Sequence, residues 1–381
     1  MKKHILVLSA YDAMSHRHWR TMLPQMLPQF QWTQLTLPPR HFSWRVRGNS
    51  LSWGFGDSAV FDRHFDILVA TSMVDLASLR GFVPSLAALP ALVYCHENQF
   101  AYPSNPRQRG QDQFANLDAA MVSLYTALCA DRLVFNSAYN RRTFIEGSST
   151  LLRSLPDHVP KGIMDILHSS CVVPVPVDMD LLSALRTHKQ DPQILDVAWN
   201  HRWEYDKGID LLHHVVRAVT QRKMPVRFHI LGQQFRQTPD EFIQIQQLLQ
   251  ELQDHDARLQ PHLGYMPDRD EYLAELAGCD VVLSTARHDF QGLAIIEASA
   301  LGCTPLCPAD LVYPEYLADR FLFPSPTDAT TEQCAMAVVE RLDRWQALKA
   351  KGGSLPKYNP EEFAASRLKE SYLTLIDELT K

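Results

Sequence analysis

Seven short, nearly continuous apolar runs punctuate the chain. HILVLSA (4–10), FDILVAT (65–71), ALVYCHE (91–97) and RLVFNS (132–137) lie in the first half, and ILDVAWN (194–200), VRFHILG (226–232) and VVLSTA (281–286) in the second. Stretches with apolar residues at three-and-four spacing separate them, most plainly Asn116 to Ala130, Ile209 to Arg222, Asp240 to Gln253 and Asp270 to Gly278. Continuous apolar strands that alternate with amphipathic helices predict parallel sheets covered on both faces, an α/β class.

The pattern breaks at CVVPVPVDMDLL (171–182), because Pro174 and Pro176 cannot donate to a central sheet ladder. RTHKQDPQ (186–193) then resets the chain before a new strand, which puts a domain boundary near 178–192. The reading is of two doubly wound lobes, 1–178 and 192–358, facing a central cleft with the carboxyl ends of both sheets. A last amphipathic segment, 359–381, is expected to pack back on the first lobe.

The stretch HDFQGLAIIEASALGC (288–303) carries Asp289 and Glu297 eight positions apart, and from Leu293 to Leu301 only Glu297 and Ser299 are polar. A strand precedes it and a helix follows, so the Gly292–Leu293 peptide lies at a helix N-terminus, whose N–H groups and dipole favour an anion. Gly292 lets a phosphate approach the backbone. Glu297 has the reach to accept hydrogen bonds from a sugar diol, which would account for an acid in so apolar a helix; the alternative is a buried Glu paired with a neighbouring base. WNHRWEYDKGID (199–210) repeats the strand-to-helix setting, and its Arg202 and Lys207 suit a diphosphate, Arg as a planar fork and Lys as a point charge.

Arg202 and Lys207 followed by an acid–x7–acid motif resemble the nucleotide-sugar lobe of retaining glycosyltransferases of the two-lobed GT-B class. The family's first acid is usually Glu, and here it is Asp289, one methylene shorter. A closer resemblance covers most of the chain. HENQFAYP (96–103), VFNSAYNRRTF (134–144), LPDHVP (155–160), WNHRWEYDKG (199–208) and HDFQGLAIIEASALGCTPLCPADLVYPE (288–315) are similar, in order, to the tRNA-queuosine α-mannosyltransferase family. The turn YDAMSHR lacks a glycine pair found in animal members. The resemblance implies transfer of mannose from GDP-mannose to the queuosine nucleoside in the anticodon of tRNA-Asp, with retention and no metal or other cofactor. Arg202 and Lys207 would then stabilise the departing diphosphate, Asp289 and His96 would touch the sugar, and Gly292, Leu293 and Glu297 would complete the donor site.

In the first lobe His96, Glu97 and Asn98 follow the apolar strand and should emerge at the cleft end of the sheet, with Asn136 ending the next strand and His16 in the loop after the first. Such a polar group suits a hydroxyl-rich acceptor; the alternative is a strand-end His and Asn that cap a turn. PPRHFSWRVRG interleaves Arg40, Arg45 and Arg47 with Phe42 and Trp44, as phosphates and unstacked bases would require, or forms an ordinary strand with solvated arginines. Arg107, Arg109, Arg141 and Arg142 are further basic positions.

Charge sharpens the choice of lobe. The net charge of −6 argues against a general nucleic-acid binder, yet residues through Asp178 hold 16 Lys+Arg against 13 Asp+Glu, while the rest hold 21 against 30. An anionic acceptor such as tRNA is therefore expected on the first lobe. The opening MKKHILVLSA is too short to span a membrane and reads as a strand. Seven cysteines, mostly in apolar segments, suggest reduced thiols and a cytoplasmic protein. Cys303 and Cys307 are the only close pair and lack the further ligands of a metal site. Two other readings stay open: a GT-B enzyme with a small-molecule or lipid-linked acceptor, and a non-catalytic tRNA-binding protein. The oligomeric state is not legible.

Overall fold

The computed structural model describes residues 2–56, 58–102, 113–156, 158–186, 191–232 and 240–379. These form two compact units. One comprises Met1–Pro176 with Glu362–Lys381, and the other Val177–Glu361. The division falls just after the proline pair, so the short helix that follows belongs to the second unit.

In the first unit six parallel strands, β1 (His4–Ser9), β2 (Gln31–Thr36), β3 (Ile67–Thr71), β4 (Ala91–Cys95), β5 (Arg132–Phe135) and β6 (Cys171–Val172), run in the order β2-β1-β3-β4-β5-β6. The helices α1 (Met14–Met26), α2 (Phe42–Phe55), α3 (Leu76–Phe82), α4 (Gln113–Leu128), α5 (Ala138–Ser154) and α6 (Gly162–His168) connect them. Strands β1, β3 and β4 are buried along nearly their whole length, which explains why they read as unbroken apolar runs. The two-residue β6 stops short of Pro174 and Pro176 at the sheet edge, where a missing N–H costs least.

The second unit opens with α7 (Met179–Ala184). Its strands β7 (Leu195–Asn200), β8 (Val226–Leu231), β9 (His262–Gly264), β10 (Val281–Leu283), β11 (Thr304–Pro308) and β12 (Leu322–Phe323) are again all parallel, in the order β12-β11-β10-β7-β8-β9. Between and after them run α8 (Ile209–Gln221), α9 (Asp240–His255), α10 (Arg269–Gly278), α11 (Leu293–Ala300) and α12 (Thr331–Ala350). Helix α8 buries Leu212, Val215, Val216 and Val219 on one stripe, which packs into the unit's core with Trp199 and Phe228. The chain returns to the first unit with α13 (Ala365–Glu378), whose Tyr372 accepts a hydrogen bond from Trp19 Nε1 at 2.9 Å and donates to the Pro174 carbonyl at 2.9 Å.

Each unit is thus a doubly wound, Rossmann-like sheet. In the second, strand order reverses at β7 and β10, which are neighbours. Loops leaving the carboxyl ends of two such strands border the crevice where open α/β sheets take ligands.

From Phe42 the basic-aromatic stretch is a helix, α2, in place of the strand that its alternating residues suggested. Its buried residues, Arg45, Val46, Asn49, Ser50 and Trp53, recur at helical spacing and pack toward α3 and α4. Among the described residues no helix is long and apolar enough to cross a membrane, and all seven cysteines are free.

Candidate functional site

Two loops meet at the switch point of the second sheet. After β7 the chain runs through His201, Arg202 and the buried Trp203, which stacks on Phe242 with ring centroids 3.9 Å apart. It then makes a single 3-10 turn, Tyr205–Lys207, and enters α8 through Gly208 at φ +67°. A side chain at Gly208 would put its Cβ 1.9 Å from the Thr285 carbonyl, so glycine is required both for conformation and for contact with the opposite loop. That contact is reinforced. Thr285 Oγ1 donates to the Lys207 carbonyl at 2.7 Å, and the Arg287 N–H donates to the Asp206 carbonyl at 2.9 Å.

The result fixes Lys207 closely. Its Nζ donates to the His288 carbonyl at 2.8 Å and lies 3.3 Å from Asp206 Oδ2. Arg202 is more exposed, with one nitrogen 2.9 Å from Glu204 Oε2 and another 4.0 Å from Asp206 Oδ2. His201 and His288 are buried beside this cluster. Desolvation, with Lys207 second, lowers both imidazoles to about 4, so they are neutral at physiological pH.

The second loop ends at α11. Gly292 adopts φ +72°, and a Cβ there would come within 2.7 Å of the Tyr316 hydroxyl. Its N–H is not free: it donates to Asp289 Oδ1 at 3.0 Å. Asp289 Oδ2 accepts from the Tyr313 hydroxyl at 3.0 Å, and that oxygen lies 2.8 Å from Ser284 Oγ, itself 3.2 Å from His201 Nε2. Burial works to raise the Asp289 pKa, but Lys207 and these hydrogen bonds hold it below the ordinary value. Asp289 therefore caps the helix and orders a chain of hydroxyls. The first-turn N–H groups left for an anion are then those of Leu293, which belongs to the Gly292–Leu293 peptide singled out above, and Ala294.

Glu297 sits a little over one turn into α11, and the question of its charge has a direct answer. Its Oε1 accepts from an Arg269 guanidinium nitrogen at 2.5 Å, and Arg269 in turn lies over the Tyr272 ring at 5.4 Å. The acid side chain is 14% exposed. Arg269, Asp206, His201 and Tyr313 all escaped the sequence reading. Asp206 and His201 lay inside a quoted block, but Arg269 is 28 residues from Glu297 and no local spacing links them.

In the first unit, His16 lies in the first turn of α1 and not in the loop expected after β1, while His96 follows β4, and their ring centroids are 4.2 Å apart. They are 1% and 5% exposed, and none of their four ring nitrogens has a hydrogen-bond partner among the described residues. Desolvation lowers His16 to about 4, against the opposing pull of Asp12, and lowers His96 well below its ordinary value. Two neutral imidazoles with unspent donors and acceptors suit a ligand rich in hydroxyls.

Their neighbours do a different job. Asn98 Nδ2 donates to Asn140 Oδ1 at 2.8 Å, and its Oδ1 accepts from the N–H groups of Phe100 and Ala101 at 3.0 Å each. Asn136 Nδ2 donates to the His96 carbonyl at 2.9 Å, and its Oδ1 accepts from Asn140 at 2.8 Å. Both asparagines spend their polar atoms building the loop that carries His96, so the turn-capping alternative describes them. The Glu97 carbonyl accepts from Ser72 Oγ at 3.1 Å.

The arginines of α2 also separate. Arg45 is 8% exposed, on the buried face. Arg47 is held by Asp118, at 2.8 Å, and by Asp75, at 3.4 Å, so it is already neutralised. Arg40 and Trp44 are exposed. Arg141 donates to Ser170 Oγ and the His168 carbonyl, while Arg107 and Arg109 lie outside the described residues.

Comparison with known proteins agrees with this architecture. Residues 4–177 match the model for the tRNA-queuosine alpha-mannosyltransferase N-terminal domain, and residues 194–342 match that for glycosyl transferases group 1. Among solved structures, a sucrose-phosphate synthase from Thermosynechococcus elongatus aligns over 99% of this chain and 100% of its own, with TM-score 0.64 and 14% identity. A trehalose-6-phosphate protein from E. coli bound with UDP-2-fluoro glucose aligns over 100% and 99%, with TM-score 0.63 and 12% identity. Likenesses at that level establish the GT-B fold. A tRNA-queuosine alpha-mannosyltransferase from Drosophila melanogaster is 30% identical over 389 residues, spanning 99% of this chain and 97% of the relative. With both lobes matched in order along nearly the full length, the chain is a glycosyltransferase and belongs to the tRNA-queuosine alpha-mannosyltransferase family.

Proposed function

We propose that the protein transfers mannose from GDP-mannose to the queuosine nucleoside of tRNA-Asp, with retention of configuration and without a metal. The observation that carries the donor half is the meeting of two positive features at the switch point of the second sheet: the Arg202–Lys207 turn and the N-terminus of α11. A diphosphate placed there is met by Lys207, by Arg202 and by the N–H groups of Leu293 and Ala294, all fixed before it arrives. Such preorganised charge favours the state in which negative charge builds on the leaving diphosphate. These groups would supply the positive charge that a divalent ion provides in other transferases.

Glu297 takes the ribose diol in this reading, sharing its carboxylate with Arg269. Asp289 acts by holding Gly292 and Tyr313 in place. With no protein base required, the leaving phosphate takes the acceptor's proton on the same face of the sugar.

The acceptor half rests on the family of the first unit and on the unspent His16–His96 pair, which suits the diol of queuosine, with exposed Arg40 and Trp44 in position to meet RNA. The test is release of GDP from GDP-mannose in the presence of tRNA that carries queuosine and of the same tRNA carrying guanosine instead. Release that depends on queuosine supports the proposal. Equal release with both, or release only with a small-molecule acceptor, defeats it.

A further inference from the structure

We infer that Asp206 is a positioning residue for the transfer reaction: its buried carboxylate holds Lys207 in the attitude in which the ammonium meets the diphosphate. The inference rests on the reading of Lys207 and Arg202 as diphosphate ligands.

Asp206 is 5% exposed, although it lies in the turn between β7 and α8, and an aspartate in a turn ordinarily faces water. Its main chain is tied to the opposite loop through the Arg287 N–H, and the flanking residues are tied as well: the Lys207 carbonyl to Thr285, and the Tyr205 hydroxyl to Arg287 Nη1 at 3.0 Å. The carboxylate therefore has little freedom of its own. Burial works to raise its pKa, and Lys207 and then Arg202 overcome that and hold it below the ordinary carboxylate value.

A buried carboxylate needs a compensating charge, and the reverse also holds. Lys207, whose side chain is 12% exposed, has three N–H bonds. The His288 carbonyl takes one at 2.8 Å, and Asp206 Oδ2 lies 3.3 Å from the same nitrogen as its buried counter-charge. One hydrogen bond and one buried counter-charge on the same nitrogen restrict where the ammonium sits. Lysine is otherwise a flexible stem that loses much of its rotamer freedom whenever it is ordered. Asp206 meets that ordering cost before the donor binds.

This arrangement separates binding from turnover. Asp206 is an anion close to the place proposed for another anion, so it opposes ground-state binding of a diphosphate while directing the charge that stabilises the transition state. Asp206→Asn keeps the side chain's volume, removes the opposing charge and releases Lys207. Turnover falls by about tenfold to a hundredfold, the range expected when a reacting group is misplaced by an ångström. Affinity for GDP stays the same or tightens. Asp206→Glu, which restores the charge on a longer arm, recovers part of the turnover.

The experiment measures kcat with GDP-mannose and queuosine-bearing tRNA, and the dissociation constant of GDP by calorimetry, for the full chain and for Asp206→Asn, Asp206→Glu and Lys207→Ala. Lower turnover with equal or tighter GDP binding in Asp206→Asn, and partial recovery in Asp206→Glu, bears the inference out. Turnover and GDP affinity that fall together in Asp206→Asn, without recovery in the glutamate variant, mean that Asp206 only holds the turn together and overturn it, as does an unchanged Asp206→Asn. If Lys207→Ala leaves both quantities unaltered, the diphosphate reading itself fails and the role of Asp206 falls with it.

Discussion

Glu297 Oε1 and an Arg269 guanidinium nitrogen lie 2.5 Å apart, so the one acid in the most apolar helix of the second unit is charged and paired before any ligand arrives. That pairing accounts for the acid's stability in the helix, and it divides two explanations that the sequence alone left standing. If Glu297 exists only for the ion pair, removing either partner should have equivalent effects. If it also binds a ribose, they should differ. We expect Glu297→Leu to weaken GDP binding by about tenfold or more, since a hydrogen bond to a charged group contributes about 1.5–3 kcal/mol, and Arg269→Ala to keep affinity within a few-fold while lowering thermal stability. Calorimetry that finds equal losses of affinity, or none, in both variants would leave only the ion pair.

Lys207→Ala and Arg202→Ala should each lower turnover by roughly two to three powers of ten, as when one positioned transition-state donor is removed. Their effects on stability should not match. Lys207 is the nearer partner of buried Asp206, and its loss strips that carboxylate of its closest counter-charge, whereas Arg202 is 43% exposed. The melting temperature should therefore fall further in Lys207→Ala. Near-normal turnover in both would contradict the charge role.

Acid should destabilise the first unit early. His16 has an ordinary pKa of 6.5 when unfolded and about 4 in the fold, because desolvation resists the proton. A base lowered in this way stabilises fully above 6.5 and loses that contribution as pH falls from 6.5 toward 4, at about 1.4 kcal/mol per pH unit for each such group. His201 and His288 add the same trend in the second unit. His229 does not mask it: that imidazole is raised to about 11, so its contribution is complete below 6.5 and lost only on the alkaline side. Melting temperatures measured between pH 6.5 and 5 should fall, and His16→Phe should flatten the slope. An unchanged slope in that variant would mean His16 titrates normally.

Trp44 packs against Gly48, so close that a Cβ on that glycine would come within 2.4 Å of the indole, while the tryptophan remains 57% exposed. An exposed aromatic ring steadied in this way suits the stacking of an unpaired base. Trp44→Ala should raise the KM for tRNA by roughly tenfold, given about 1–3 kcal/mol for a base stacked on an aromatic ring. Gly48→Ala should act in the same direction by lifting the indole, even though alanine favours a helix by about 1 kcal/mol. GDP affinity should not change in either. Arg40→Ala should reduce the salt dependence of tRNA binding by just under one log–log unit. If steady-state assays show an unaltered KM in both the Trp44 and Gly48 variants, the acceptor does not use this face of α2.

The fold was legible because buried parallel strands declare themselves as unbroken apolar runs, and the strand-to-helix position of Lys207 and Gly292 followed from that. Pairings over long sequence distance were not legible. Nothing near Glu297 announces Arg269, and nothing in HENQ shows that Asn98 is spent on Asn140 while His96 keeps both nitrogens unpaired. The α2 stretch misled for a different reason. Arginines alternating with aromatics imitate a strand, and only the burial of Arg45, Asn49 and Trp53 at helical spacing reveals the helix and withdraws Arg45 from the surface set, while Arg47 stays exposed but paired with Asp118 and Asp75. In the same way, nothing in the sequence shows that the two oxygens of Asp289 serve Gly292 and Tyr313.

The most direct test of the account is mass spectrometry of nucleosides from queuosine-bearing tRNA-Asp incubated with the protein and, separately, with GDP-mannose, UDP-glucose and UDP-galactose. The account predicts a hexose on queuosine with GDP-mannose alone, and none when Lys207→Ala replaces the native chain under the same conditions. Queuosine left unmodified by GDP-mannose, or modified equally from a UDP-sugar, would contradict it.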